Sequence, residues 1–122
     1  MGMYTELVFK AEVKSNAPDN VKAVLSSLFN STATDLTELP DHPFFLCGRW
    51  RQIGQSGSYY HIPWASSAYN ENYIFSRSDF KNYDDEIEKF IGWVKPYLST
   101  IPGTCIGWSW HEEADQPTLI YM

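Results

Sequence analysis

The chain has 122 residues, and at roughly 100–200 residues per domain this predicts one domain spanning residues 1–122. It is 43% hydrophobic, with 5 Trp, 8 Tyr and 7 Phe, which excludes a wholly disordered chain because such chains are poor in aromatic residues. Nine Lys and Arg against 15 Asp and Glu give a net charge of -6. This balance excludes general binding to duplex nucleic acid, which requires cations to neutralise phosphates.

Localisation and cysteine chemistry are constrained by what the sequence lacks. No run approaches the about 18–20 apolar residues that span a bilayer, and residues 1–14 carry four charged side chains where a signal peptide is apolar. We therefore expect a soluble cytoplasmic protein without membrane contact. Cys47 and Cys105 are too few for a disulfide framework and lack CxxC spacing, which favours buried free thiols at both positions.

The first predicted elements are a strand, a helix and a loop. Apolar and charged residues alternate from Thr5 to Lys14, which predicts a strand with one solvated face. Pro18 suits the first turn of a helix, and apolar residues at helical spacing from Val21 to Phe29 predict a helix that ends near Asn30. Residues 31–43 are polar and contain two prolines, which indicates a loop.

Three strands are predicted next. The aromatic runs Phe44–Gln52 and Ser58–Pro63 flank a glycine-containing turn, and this pattern predicts a hairpin. Asn72–Ser78 predicts a further strand, after a loop that contains Trp64 and Tyr69.

The second helix has the strongest amphipathic pattern in the chain. Asn82 is a candidate N-cap, and acidic residues load the first turns with the charge that the helix dipole favours. The apolar stripe of this helix consists of Tyr83, Ile87, Phe90, Ile91, Val94 and Leu98. Pro96 disturbs or ends the last turn, and the runs Thr104–His111 and Thr118–Met122 predict a closing pair of strands.

Together these elements predict an α+β fold with the order β-α-β-β-β-α-β-β. The short connections favour antiparallel pairing of neighbouring strands. Two helices that each have one apolar stripe need a common apolar surface, which a sheet provides on one face. We therefore expect a two-layer fold in which a mainly antiparallel sheet of five to six strands carries both helices on one face and leaves the other face open.

The segment from Arg49 to Arg77 is the candidate binding surface. It holds all three arginines of the chain among seven aromatic residues, a combination in which contact surfaces are enriched. If the strand at 44–52 is regular, Arg49 and Arg51 share one face and Trp50 lies on the other. The alternative is that the aromatic residues fill the core while the arginines pair with acids on neighbouring strands. The residues predicted to bind a partner are Arg49, Arg51, Tyr59, Tyr60, His61, Trp64 and Arg77.

No motif in the sequence assigns a catalytic residue, a metal ion or a cofactor. The acids at residues 84–88 and 112–113 have neither HExxH nor DxDxDG spacing, and helix-start and turn positions explain them. The sequence around Ser56 does not form GxSxG, and no lysine follows Gly57 as a phosphate-binding Walker loop requires. The sequence therefore favours a non-enzymatic role without a cofactor.

A set of short motifs runs through most of the chain. They are Arg49-Trp50-Arg51, Ser58-Tyr59-Tyr60, the run Lys81–Phe90, Trp93, Pro96-Tyr97, and the ending from Glu112-Glu113 to Pro117–Tyr121. In these motifs the sequence resembles a group of small proteins encoded in bacteriophage and prophage genomes. The resemblance implies a phage accessory protein in a bacterial cytoplasm, and it brings no catalytic residue with it.

The sequence leaves three functions open. The first is a non-enzymatic module that binds a host or phage protein through the Arg and aromatic surface; an acidic version would inhibit a nucleic-acid-binding enzyme by presenting residues 84–88 and 112–115 where phosphates would sit. The second is a small enzyme or ligand-binding protein with a pocket for an anionic molecule near His61 and the arginines. The third is a homodimer whose aromatic face meets itself.

Overall fold

The computed structural model describes residues 3–30, 39–57 and 65–122 of the chain. The strands in these residues are β1 (Thr5–Glu12), β2 (Ser66–Asn70), β3 (Tyr73–Phe80), β4 (Cys105–His111) and β5 (Thr118–Tyr121). The α-helices are α1 (Asp19–Phe29) and α2 (Glu86–Val94), and short 3₁₀ helices lie at Pro43–Leu46, Trp50–Gln52 and Lys95–Tyr97. The main elements therefore follow the order β-α-β-β-α-β-β.

The five strands form one antiparallel sheet with the order β2-β3-β1-β4-β5. β1 lies in the middle, where Thr5 is paired with Phe80 of β3 and with His111 of β4. The units β1-α1-β2 and β3-α2-β4 are interleaved, because a strand of one unit separates the two strands of the other. This is the split β-α-β, or ferredoxin-like, arrangement, to which β5 adds an edge strand.

The pattern of burial along β1 shows which face of the sheet is covered. Leu7 and Phe9 are fully buried, while the intervening residues are partly exposed. The ring of Phe9 packs against Phe29 of α1 and Phe90 of α2, with centroid distances of 6.5 and 5.3 Å. Because one side chain of β1 touches both helices, both helices lie on the same face. The predicted α+β class, with an antiparallel sheet and two helices on one face, is confirmed.

Most elements lie where the hydrophobic pattern predicts them. β1, α1, β3, β4 and β5 begin and end within two residues of the predicted bounds. β4 and β5 also pair with each other, as predicted for the closing strands.

The start of α2 differs in detail from the prediction. Asp85 and not Asn82 occupies the N-cap position, so the predicted cap is wrong, although Oδ1 of Asn82 accepts a hydrogen bond from the backbone N–H of Ile87 at 2.9 Å. The helix itself begins only at Glu86, since Asp85 has a left-handed backbone with φ of 57°. Tyr83 therefore precedes the helix and is exposed, so its predicted place in the apolar stripe of the helix is wrong.

The predicted strand at Phe44–Gln52 is also wrong. Two 3₁₀ helices, Pro43–Leu46 and Trp50–Gln52, occupy this segment. The hairpin predicted with Ser58–Pro63 therefore lacks its first strand, and residues 58–63 lie outside the described residues.

The packing of this segment explains why it does not form a strand. Pro43 sits in the first turn of the 3₁₀ helix, and the Nδ1 atom of His42 accepts a hydrogen bond from Phe44 N at 3.1 Å. Phe44 and Phe45 are adjacent in sequence, yet both are buried and both contact the Trp93 ring of α2. Neighbouring residues of a strand point to opposite faces, so a 3₁₀ turn buries this pair on one side where a strand could not.

β2 forms in a segment for which the sequence predicts a loop. Its residues are small and polar apart from Ala68 and Tyr69, so strand propensity does not reveal it. β2 is joined to β3 by a tight turn in which Glu71 has φ of 57°. The hydroxyl of Ser67 donates a hydrogen bond to Gly54 O at 2.7 Å and lies 2.8 Å from the Ser76 hydroxyl of β3.

β4 approaches β1 closely at Gly107. The register of β4 against β5 shifts between Cys105 and Gly107, so Ile106 is an extra, bulged residue. Gly107 has φ of 153°, and a Cβ atom at this position would overlap the Val8 carbonyl oxygen and lie 3.0 Å from Phe9 Cα. Only glycine fits where the two strands approach this closely.

Candidate functional site

The face of the sheet opposite the helices is assembled from residues of all five strands. Strand register aligns one row directly across the sheet, consisting of Leu119, Trp108, Val8, Arg77 and Ser66. Residues two positions away on each strand point to the same side. We call this surface the open face; its members are Glu6, Val8, Lys10 and Glu12 of β1, Ser66, Ala68 and Asn70 of β2, Tyr73, Phe75, Arg77 and Asp79 of β3, Trp108 and Trp110 of β4, and Leu119 and Tyr121 of β5.

Large apolar side chains remain accessible to solvent on the open face. The exposed fractions are 60% for Tyr73, 53% for Phe75, 50% for Leu119 and 49% for Tyr121. Trp108 and Trp110 are partly exposed between these two groups. Large exposed apolar side chains grouped on one face are typical of an interaction site, and Tyr and Trp are among the residues that contribute most to binding energy in interfaces.

Arg77 lies on the open face, where acidic side chains hold it. Its Nη2 and Nε atoms lie 2.6 and 2.8 Å from Oε2 of Glu6, and Asp79 Oδ2 is 4.0 Å from Nη2. The side chain of Arg77 is only 12% exposed. Pairing with an acid on a neighbouring strand was the alternative that the sequence left open for the arginines, and Arg77 adopts it.

The other two predicted arginines belong to the helix layer. Arg49 and Arg51 flank Trp50, whose ring packs against the phenylalanines of the preceding 3₁₀ helix. The guanidinium of Arg51 lies 4.6 Å from the Trp50 ring centroid, and that of Arg49 lies 5.4 Å from the Tyr83 ring centroid, both in cation–π geometry. The alternation of faces expected for a strand here is wrong, and these two arginines are not on the open face with Arg77.

Four further residues of the predicted binding surface lie outside the described residues. They are Tyr59, Tyr60, His61 and Trp64. Their part in binding a partner stays a prediction.

Acidic side chains border the open face at both ends. Glu12 is paired with Tyr73 at one end, next to the β2–β3 turn that exposes Glu71. At the other end, the turn between β4 and β5 carries three acids in residues 112–115. The face therefore combines two groups of exposed apolar side chains, one on β3 and one on β5, with charged residues of the central strand β1 between them and acidic residues at both ends, in line with the net charge of -6.

The acidic residues 84–88 lie at the same end of the sheet as the β4–β5 turn. Met3 N donates a hydrogen bond to the Tyr83 hydroxyl at 3.1 Å, and Tyr4 N donates to Glu112 Oε1. The residues before β1 thus lie between residues 84–88 and 112–115, the two segments that would act as a phosphate mimic. Lys81 Nζ lies 5.8 Å from the Tyr4 ring centroid in the same region, so the charge there is mixed.

Histidine and metal chemistry receive no support from the described residues. His42 caps a 3₁₀ helix, and Nδ1 of His111 accepts a hydrogen bond from Glu113 N at 3.2 Å. Within residues 3–30, 39–57 and 65–122, no group of three or more His, Cys, Asp or Glu side chains could hold a metal ion.

A shallow concavity of about 260 Å³ opens at the carboxyl end of β1. Lys10, Glu12 and Cys105 contribute to its wall. An anion bound there would be attracted by Lys10 but repelled by the carboxylate of Glu12. The concavity therefore gives little support to the hypothesis of a pocket for an anionic molecule. Cys47 and Cys105 are both free thiols, as the sequence predicts, but only Cys47 is buried; Cys105 is half-buried, so its predicted burial is wrong.

The sequence contains a signal for the open face that composition alone does not reveal. Large apolar residues recur two positions apart in three strands, as Tyr73 and Phe75, Trp108 and Trp110, and Leu119 and Tyr121. In strands this spacing places each pair on one face. In β3 this alternation continues to Arg77. Arg77 is the one residue of the described open face that is also among the residues predicted to bind a partner.

Comparisons with protein families, curated proteins and solved structures found no match for this chain. In the part of the chain that the structure describes, no helix is long and apolar enough to cross a membrane.

Proposed function

We propose that the chain is a non-enzymatic protein-binding module that docks a bacterial host or phage protein on its open face. The observation that supports this function is the exposure of Tyr73, Phe75, Leu119 and Tyr121 on the face of the sheet away from both helices. A role as a phage accessory protein follows from the motif resemblance and belongs to the same proposal.

The apolar side chains alone do not provide a tight complex. Burying a large apolar side chain completely contributes about 1.5–3 kcal/mol, so four half-exposed side chains contribute roughly 3–6 kcal/mol. Association itself costs about 4–15 kcal/mol in lost translational and rotational freedom. A tight complex therefore needs further contacts. The acidic residues at the ends of the open face can provide them by pairing with cations of the partner.

The charge pattern defines the chemistry of the partner. The acids at the two ends of the open face favour a protein whose apolar patch is bordered by Lys and Arg. Opposite charges at the rim accelerate association and fix the orientation of the complex. The affinity is expected to fall as salt is added, because exposed charges are screened.

The test compares the wild type with a Tyr73→Thr, Phe75→Thr variant. Threonine retains strand propensity while it removes both rings. Proteins that the tagged wild type retains from a bacterial lysate are identified by mass spectrometry, purified and titrated against the chain by calorimetry. We expect a retained protein whose affinity falls about tenfold or more for the variant, which corresponds to about 1.4 kcal/mol, and which binds more weakly at high salt.

A Leu46→Ala variant is the matched control. Leu46 is 87% exposed on the 3₁₀ helix of the helix layer, so its removal deletes exposed apolar area away from the open face. Equal loss of affinity for both variants, no loss for either, or no retained protein would each contradict the proposed function.

A further inference from the structure

The two edge strands of the sheet, β2 and β5, differ in whether their outer backbone groups are hydrogen-bonded. At β2, the side-chain amide of Asn30 pairs with both backbone groups of one residue: Tyr69 N donates to Asn30 Oδ1, and Asn30 Nδ2 donates to Tyr69 O, each at 2.7 Å. This amide occupies the outer edge of β2 in the way that a neighbouring strand would. Pairing with another chain is blocked there.

β5 is the other edge, and it lacks such a cover. On one side it pairs with β4, and nothing in residues 3–30, 39–57 or 65–122 pairs with its outer side. Its four residues, Thr118–Tyr121, include no charge and no proline, the features with which edge strands usually prevent pairing. An uncovered edge of this kind can accept a further strand.

An apolar groove of about 340 Å³ runs along the helix side of this edge. Ile87 and Ile91 of α2 line one wall, and Ile120 of β5 lines the other. Glu88 and Lys95 also line the groove and are the charged residues among its walls. A strand added to β5 would cover this groove.

The two charges lie at opposite ends of β5. β3 and β4 are both antiparallel to β1, so they run in the same direction and α2, which connects them, returns in the opposite one. β5 is antiparallel to β4 and therefore runs in the same direction as α2. Glu88 thus lies towards Thr118 and Lys95 towards Tyr121.

The lengths of the two elements also match. Seven residues of helix place Glu88 and Lys95 about 10 Å apart along the axis, and a four-residue strand spans about 10 Å. When two such edges meet antiparallel around a twofold axis, the Glu88 end of one copy faces the Lys95 end of the other, twice in each interface. The β5 edge of one copy is therefore complementary in charge to the β5 edge of a second copy.

We infer that a second copy of this chain pairs with the β5 edge, antiparallel and around a twofold axis, so that the two sheets join into one. The inference does not depend on the proposed function, because it leaves both open faces uncovered and on the same side of the joined sheet. The groove beside α2 is closed in the dimer by the same elements of the second copy.

A charge exchange tests this pairing. Sedimentation equilibrium measures the dissociation constant of the dimer for the wild type, for Glu88→Lys, for Lys95→Glu and for the double variant. Each single substitution places like charges opposite each other at both ends, so we expect weakening by about tenfold. The double variant restores opposite charges and is expected to recover the association of the wild type.

Glu71→Lys is the control, because it makes the same change of charge in the β2–β3 turn at the other edge of the sheet and is expected to leave the dimer intact. Circular dichroism verifies that each variant is folded. The inference is overturned if the wild type stays monomeric at its highest soluble concentration, or if the double variant associates no better than the single ones. It is equally overturned if Tyr73→Thr, Phe75→Thr dissociates the dimer while Glu88→Lys does not, since the open face would then be the interface.

Discussion

At the scale of single residues, the close approach of β4 to β1 depends on Gly107. A Gly107→Ala methyl group would overlap the carbonyl oxygen of Val8, which belongs to the central strand and cannot move without breaking its ladder. We expect this substitution to lower the free energy of unfolding by about 3 kcal/mol, near the upper end of ordinary overpacking costs. Urea denaturation followed by tryptophan fluorescence measures the change.

Gly92→Ala is the opposite case and serves as the control. Gly92 lies inside α2, is exposed, and has open space around its missing side chain. Alanine there raises helix propensity, so the free energy of unfolding is expected to rise by about 0.5–1 kcal/mol. A loss of stability for Gly92→Ala, or none for Gly107→Ala, would contradict the described backbone.

The phenol of Tyr69 makes stability depend on alkaline pH. Burial raises the pKa of Tyr69 above the ordinary tyrosine value, because the charged phenolate is poorly solvated in the folded protein. The folded state therefore prefers the neutral form, and this contribution is complete below the ordinary pKa and is lost as pH rises through the raised one. Denaturation midpoints measured across about pH 9–11 should fall more steeply for the wild type than for Tyr69→Phe; equal slopes would refute this.

At the scale of elements, the cover on β2 depends on the side chain of Asn30. Asn30→Ala removes both hydrogen bonds to Tyr69, and we expect it to lower the free energy of unfolding by about 1–3 kcal/mol. Hydrogen exchange at the Tyr69 amide should accelerate in the same variant. Asn30→Asp keeps an acceptor for that amide, so it should retain most of the protection while it loses the bond to the carbonyl.

Elements with a clear periodicity could be predicted from the sequence. β1 has an alternating pattern and α2 has a stripe of helical spacing, and each buries the face that its pattern indicates. The segment at 44–52 could not be assigned in this way, because its aromatic residues are those of a strand while Pro43 and the adjacent Phe44 and Phe45 favour a 3₁₀ turn. In this segment, packing of Phe44 and Phe45 against Trp93 of α2 outweighs the strand propensity of the aromatic residues.

At the scale of the whole molecule, the open face shows why a site can be harder to predict than a fold. Its central row joins residues 8, 66, 77, 108 and 119, which become neighbours only through strand order and register. Neither quantity can be read from spacing along the chain. Composition predicts that Arg49 and Arg51 belong to the binding surface, but their side chains stack on rings of the helix layer.

The central position of β1 also has a consequence for biosynthesis. β1 is made before the four strands with which it shares the sheet, yet contacts of β1 and of the residue before it span long stretches of sequence, 71 residues for Arg77 with Glu6 and 108 for Tyr4 with Glu112. Contacts of such separation form late and slow the folding of a domain. We therefore expect a nascent chain to expose Leu7 and Phe9 until β3, α2 and β4 have been made, and apolar surface exposed in this way is prone to aggregation.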